Sequence, residues 1–238
     1  MTDSKKFYDE FIDYQIKSGI NDRIYSLFQR VKNSGLNNDD HILEIGCGIG
    51  CLSYLLSKKI KRGLLESVDI SPISIEYAKN HIQAKGVHFA SGDIMEFNPI
   101  HAPFEKVLMF DVLEHIPHEF HQELFCKIYS WMQEGSCLLI NIPNPQYIEY
   151  DQKHHPEALQ ETDIPVYLNQ LIPDLIKASL TITKIETYSI WVKDDYIFLR
   201  INKLSEFNEN VLQKEFGILR RLTNKLKRIL RKIRYRYP

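Results

Sequence analysis

The sequence predicts an α/β fold: a doubly wound, seven-stranded mixed sheet that ends in an antiparallel hairpin. Three observations carry this. Short apolar runs alternate with segments of helical length from residue 41 to residue 143, and helices between strands impose parallel pairing. The first run, "HILEIG", leads straight into glycines at 46, 48 and 50. The last two apolar runs, "TITKIETYSIWV" and "DYIFLRINKL", are joined near Lys193–Asp195, too closely for a helix between them.

The elements follow in order. Residues 5–33 read as one or two amphipathic helices, with Phe7, Phe11, Tyr14 and then Ile24, Leu27, Phe28, Val31 at helical spacing. "NSGLNNDD" (33–40) is a polar loop. "HILEIG" is the first strand, residues 50–60 a helix and "GLLESVDI" the second strand. "SPISIEYAKNHIQAKG" is a helix with Ser71 as N-cap, Pro72 in the first turn and Gly86 as its stop. "VHFASGD" and "KVLMFDV" are the third and fourth strands, residues 117–134 a helix, and "SCLLINIP" the fifth strand. An insert at 143–180 then begins irregularly, with Pro143, Pro145 and Pro156, and ends in a helix near 166–179 before the hairpin.

The 238 residues are 44% hydrophobic and 26% charged, enough for one sizeable core. The segments divide as a helical cap (1–39), the sheet domain (40–205) and a C-terminal helix (206–238). Cys47, Cys51, Cys126 and Cys137 form no C-x-x-C pair, which argues against zinc and thioredoxin-like sites and fits a reducing compartment. "MTDSKKFYDEFIDY" lacks the apolar core of a signal peptide, and no run approaches the roughly 18 apolar residues of a membrane span. The expected location is the cytoplasm. The net charge of −1 conceals an acidic body and a basic tail: residues 214–238 carry ten Lys/Arg against one acid, Glu215.

A strand–glycine loop–helix junction brings backbone close to a ligand and aims free helix N–H groups at it. The dinucleotide pattern G-x-G-x-x-G fits poorly, because Gly50 comes one residue early and Cys51 takes the last position. Nothing basic lies between His41 and Lys58, and Glu44 precedes the loop. These features suit a nucleotide-like ligand that is cationic rather than phosphorylated, and disfavour a nicotinamide dehydrogenase.

"LEIGCGIG" resembles motif I of the class I S-adenosylmethionine-dependent methyltransferases, which have a Rossmann-like fold. The resemblance continues in order through "SVDIS", "ASGDIMEF", "EKVLMFDVLEHIP" and "GSCLLINIPN", over roughly residues 40–202. It implies S-adenosylmethionine as cofactor, held by Glu44, Gly46, Cys47, Gly48 and Gly50, by Asp69 and Ile70, by Asp93 and Ile94, and by Asp111. In this reading Asp69 accepts from both ribose hydroxyls, a bidentate charge-assisted contact. Asp93 receives the adenine amine, with the backbone of Ile94 against the ring. Glu44 orders the glycine loop or meets the methionine amino group. Asp111 lies where the methionine end and the acceptor meet.

The methyl donor is already activated, so the protein mainly aligns and desolvates. An oxygen nucleophile often needs a base, for which histidine is suited near neutral pH. "DVLEHI" resembles small-molecule methyltransferases, including those of quinone precursors and sugars, and implies that His115 faces the acceptor. His154 and His155, in the insert, are further candidates, of which an extended segment would point only one inward. No spacing marks a metal site. "NPQY" (144–147) lies after the fifth strand, not after the fourth where an N/D-P-P-Y motif belongs, and reads as a loop. Tyr147 and Tyr150 there are acceptor-pocket or packing residues. Tyr8, Phe11, Tyr14 and Gln15 belong to a segment that closes the site in related enzymes or packs as core. Arg23 reads as a solvated arginine or an anion-binding one.

In the tail, Phe216, Leu219, Leu222, Leu226, Ile229, Leu230 and Ile233 form an apolar stripe, with seven basic residues mostly off it. A basic amphipathic helix on an anionic membrane surface is the favoured reading, which makes the protein peripheral to the membrane. Packing on the body or on a second tail, and binding to nucleic acid, are the competitors. The expected function is methyl transfer from S-adenosylmethionine to a small-molecule acceptor, through a hydroxyl of a sugar, lipid-linked or quinone-type precursor. The alternatives are a nucleic-acid methyltransferase that uses the tail as an arm, and a catalytically silent cofactor-binding scaffold.

Overall fold

A computed structural model describes residues 12–156 and 163–204, together with positions 223, 225–227, 229 and 230. Two helices, α1 (Ile12–Ser18) and α2 (Asp22–Asn33), precede the sheet. Five parallel strands follow: β1 (His41–Ile45), β2 (Leu64–Asp69), β3 (Val87–Ser91), β4 (Phe104–Phe110) and β5 (Met132–Pro143). Between them lie α3 (Cys51–Ser57), α4 (Pro72–His81) and α5 (His121–Trp131). After β5 come α6 (Pro145–His154) and α7 (Leu168–Lys177), then the hairpin of β6 (Leu180–Tyr188) and β7 (Tyr196–Lys203). The strand order is β3-β2-β1-β4-β5-β7-β6, with β7 antiparallel to β5.

The order reverses at β1 and β4, so the carboxyl ends of these neighbours part around a crevice, the usual ligand position in such sheets. Alternation along each strand feeds two cores. Leu43, Ile45, Val107 and Met109 face α5 and α7, whereas Ile42, Leu108 and Phe110 face α2 and α3. On α2, Leu27, Phe28 and Val31 are buried. Burial of each is worth roughly 1.5–3 kcal/mol, so the N-terminal segment is anchored into the core. Chain contacts define two units, 1–204 and 205–238.

Several boundaries differ from expectation. The helix expected to run to Gly86 stops at His81, because Ile82 leaves helical geometry (φ −122°) and turns its side chain toward Gly50. The helix expected over 117–134 ends at Trp131, and β5 begins at Met132. The largest correction concerns "NPQY", expected as a loop. Asn144 caps α6 by accepting from the Gln146 N–H at 3.1 Å, and Pro145 occupies the first turn, where its missing N–H costs nothing.

The expectations for the tail, 206–238, fall largely outside the described residues. Positions 223, 225–227, 229 and 230 are helical, and Leu226, Ile229 and Leu230 are exposed. No helix among the described residues is long and apolar enough to cross a membrane.

Candidate active site

The glycine loop runs from the end of β1 into α3. Gly46, Gly48 and Gly50 all have positive φ (77°, 52° and 83°). A Cβ at Gly46 would stand 2.2 Å from Val112 Cγ2, and one at Gly50 2.6 Å from Ile82 Cδ1. Side chains are therefore excluded both by conformation and by close approach of the walls. Above Gly48 sits Gln15 of α1, whose amide lies 3.1 Å from where a Cβ would be. Gln15 Oε1 is buried with no hydrogen-bond partner among the described residues. Tyr14 beside it is exposed, and Tyr8 and Phe11 lie outside the described residues.

Asp69 closes β2 and binds both sides of the loop. Its Oδ2 accepts from the Gly48 N–H at 2.7 Å and its Oδ1 from the Ser71 N–H at 2.9 Å. Half-buried Ile70 follows it. Asp93 Oδ1 accepts from the Met95 N–H at 2.9 Å, which fixes the turn after β3, and Ile94 is packed into the core. Cys47 is buried, and burial pushes its thiol well up, so it is a neutral wall of the loop.

Glu44 is buried beneath the loop. Its Oε2 accepts from Ser53 Oγ at 2.5 Å and Ser67 Oγ at 3.0 Å. Desolvation still outweighs these bonds and raises its pKa to about 7. The carboxyl thus ties α3, β1 and β2 together under the glycines. That position fits the loop-ordering role rather than direct reach to a ligand.

The opposite wall starts at Asp111, directly after β4. Its φ of +54° is unusual for a residue with a side chain. Such strain persists where surrounding contacts over-determine it, and here they do. The Asp111 N–H donates to Asn141 O at 3.0 Å, and Asn141 Nδ2 donates to Asp111 Oδ1 at 2.6 Å. Tyr188 Oη donates to Asn141 Oδ1 at 2.9 Å. Arg23, from α2, forms an ion pair with Asp111 Oδ2. The expectation of a solvated Arg23 is corrected by this pair, made possible because α2 is anchored in the core.

Two more groups follow Asp111. His115 Nδ1 lies 3.3 Å from Asp163 Oδ1, so the insert supplies a carboxylate to orient the imidazole. Glu114 is 2% exposed, and its Oε2 has no hydrogen-bond partner among the described residues. Burial raises its pKa to about 8, with Asp163 adding to the rise and Arg23 opposing it. Sequence reasoning missed Glu114; the available signal was a lone carboxylate between Leu113 and Ile116. Tyr188 and Tyr196 line the same wall, their pKa values pushed up to about 12 by burial while Arg23 acts against it.

His154 and His155 stand exposed at the end of α6, their rings 4.4 and 6.1 Å from that of Tyr150. Tyr147 is half-buried, and its hydroxyl is coupled to Asp151.

The chain is also similar to known proteins. A methyltransferase-domain family model matches residues 42–135. The chain is 30% identical over 105 residues to a carboxy-S-adenosyl-L-methionine synthase of Dichelobacter nodosus, covering 42% of this chain and 44% of the relative. It is 32% identical over 112 residues to a ubiquinone biosynthesis O-methyltransferase of Coxiella burnetii, covering 46% of each. The chain thus spans less than half the length of these curated relatives. A crystal structure of magnesium protoporphyrin IX methyltransferase from Synechocystis, with bound S-adenosylhomocysteine, superposes with a TM-score of 0.61. That superposition covers 76% of this chain and 81% of the other at 16% identity. Residues 42–135 thus form a methyltransferase domain, set in a sheet whose strand order and terminal hairpin are those of the Rossmann-like methyltransferase fold.

Proposed function

We propose that the protein transfers a methyl group from S-adenosylmethionine to a hydroxyl of a small-molecule acceptor. One observation carries the reading. The glycine loop, Asp69, Asp93 and Asp111 all stand at or just beyond the carboxyl ends of β1–β4, on the side of the sheet where a reversal of strand order favours ligand binding. The residues fit the cofactor: the loop backbone can meet a ligand at Gly48, where the nearest group is the Gln15 amide, and Asp69, Asp93 and Asp111 suit a cationic ligand. When bound, S-adenosylmethionine supplies an electrophilic methyl carbon on a sulfonium centre.

Asp69 is placed to accept from the ribose hydroxyls and Asp93 from the adenine amine, with Gly46, Cys47 and Gly48 beneath and Ile70 and Ile94 at the base. Asp111, held by Asn141 and Arg23, sets the junction between cofactor and acceptor. His115 is the base that takes the acceptor's proton, with Asp163 holding its Nδ1 side and stabilising the imidazolium. Glu114, protonated at neutral pH, is a hydrogen-bond donor within the acceptor chamber. His154 and His155 are assigned to the rim, where they would meet the outer part of a larger acceptor.

The basic segment 214–238 is assigned to an anionic membrane surface, which points to a lipid-linked or quinone-type acceptor. Its exposed Leu226, Ile229 and Leu230 support this assignment. Calorimetric titration with S-adenosylmethionine, S-adenosylhomocysteine and NAD tests the cofactor. Micromolar binding of the first two and none of NAD is expected; the reverse overturns the reading. Labelled methyl transfer to hydroxylated quinone precursors and lipid-linked sugars then tests the acceptor. Label appearing only in nucleic acid would replace the small-molecule acceptor by an RNA or DNA one.

A further inference from the structure

We propose that His118, His121 and Asp174 form a binding site for a divalent transition-metal ion, with zinc the metal that fits best. The three residues come from the short 3-10 turn His118–Phe120, the first residue of α5 and the interior of α7. One ligand atom from each lies within 4.8 Å of the others. His118 Nε2 and Asp174 Oδ2 are 3.2 Å apart. Two ligands of a tetrahedral ion, with bonds of about 2.0–2.1 Å, stand about 3.3 Å apart, so this pair already has the required spacing. The His121 ligand atom lies within 4.8 Å of these two, so a bound ion would draw it inward by up to about 1.5 Å.

The second observation is His121 itself, 2% exposed. Its Nε2 lies 2.8 Å from the carbonyl oxygen of Ile116. A carbonyl only accepts, so Nε2 carries the proton and Nδ1 presents a bare lone pair. Nδ1 is buried and makes no well-formed hydrogen bond among the described residues, although the Leu113 backbone also lies close enough to act on the ring. A ring fixed by a carbonyl at one nitrogen, with the other left open, is the arrangement that orients metal-bound histidines. Asp174 is 7% exposed in a helix whose neighbours Leu171 and Leu175 are core residues. Apart from His118, its cationic neighbour is Lys177, with Nζ 3.6 Å from Oδ1.

Two imidazoles and a carboxylate suit zinc, with water as the fourth ligand. Half-exposed His118 gives the ion its route in. The site uses none of Asp111, Glu114 or His115, and stands whether or not the proposed reaction is correct. Its consequence is mechanical. A bound ion would clamp α7, the insert's helix, onto the start of α5, and so hold the insert beside the segment that carries Glu114 and His115. The expectation that the chain holds no metal rested on spacing alone, which cannot show a third ligand from a distant helix.

The test is calorimetric titration of the full chain, stripped with a chelator and dialysed, with zinc chloride. His118→Ala and Asp174→Asn serve as comparisons, since one removes an exposed ring and the other keeps the side-chain shape. The wild-type chain should bind one equivalent at micromolar or tighter affinity, and each variant should lose about tenfold or more. Zinc should raise the melting temperature of the wild-type chain and not that of His118→Ala. Equal affinity in all three proteins would assign the zinc to other histidines or thiols and overturn the site. So would the absence of one-to-one binding to the wild-type chain.

Discussion

On the β1–β3 side of the crevice, Glu44, Asp69 and Asp93 are held by donors within residues 44–95: Ser53 and Ser67, Gly48 and Ser71, Met95. On the β4–β5 side, Asp111 meets Arg23 and Asn141, His115 meets Asp163, and Glu114 keeps a buried oxygen without a partner among the described residues. The first side is a local, hydrogen-bonded cradle. The second brings remote parts of the chain together and buries a carboxyl group that is protonated at neutral pH. A cofactor is one constant molecule, and a locally built cradle serves it. The acceptor side proposed above must also move a proton, and His115 with its Asp163 partner suits that work, whereas Glu44, whose pKa is also displaced, lies beneath the loop.

The contrast can be broken most sharply at Asp69. Asp69→Ala removes two hydrogen bonds to a charged group, each worth about 1.5–3 kcal/mol, together with the contacts proposed to the ribose. The dissociation constant of S-adenosylmethionine, measured by calorimetry, should rise about 100-fold on that scale. A change below about threefold would place the ligand elsewhere. Next, Gly46→Ala forces a side chain into positive φ and against Val112. It should cost about 2 kcal/mol in urea denaturation and weaken cofactor binding in parallel.

Arg23→Ala tests the other side. It should lower methyl transfer about tenfold while the cofactor dissociation constant stays within about threefold. Equal losses in both would merge the two halves into one unit. Glu114→Gln should act through pH. The pKa of about 8 in the folded chain lies above the ordinary carboxyl value of 4.5, so the folded state binds the proton more tightly than the unfolded one. This contribution to stability is complete below about pH 4.5 and is lost as pH rises toward 8. The variant lacks that loss. Urea denaturation should therefore show its stability gaining on the wild type between pH 5 and 8, by about 1.4 kcal/mol for each pH unit that separates the folded from the unfolded pKa. Part of the slope up to about pH 7 should persist in both, because Glu44 is unchanged. The smallest effect is expected from deletion of 214–238, which should leave cofactor affinity unchanged and abolish salt-sensitive sedimentation with anionic vesicles. Loss of cofactor affinity in the truncated chain would contradict the membrane assignment.

The same contrast explains what was legible in the sequence. Gly46, Gly48 and Gly50 are needed for positive φ, Asp93 fixes its own turn, and Asp69 reaches Gly48 from the end of the next strand, so their places in the strand–loop–helix rhythm carry their meaning. The parallel pairing of β1–β5 follows from the alternation of elements, and the hairpin from the short gap at 193–195. Arg23 looked solvated because its partner lies after β4, and no local pattern links them. Glu114 was hidden because burial of a carboxylate depends on what the insert lays over it. The helix after Asn144 was missed for a different reason: Pro143, Pro145 and Pro156 suggested irregular chain, although a capping Asn followed by Pro is also how helices begin.

The link that runs from Tyr188 through Asn141 and Asp111 to Arg23 also bears on how the protein is made. A ribosome releases the chain from its N-terminus, and domains fold as their parts emerge. The residues that hold the glycine loop are all present once about the first hundred positions have left the tunnel. The Asp111 network lacks its last member until Tyr188 emerges, and long-range closures of this kind are slow. A chain arrested between these points would carry the elements of the proposed cofactor cradle but an unfinished Asp111 network, so assembly itself delays that link until the hairpin has been laid down.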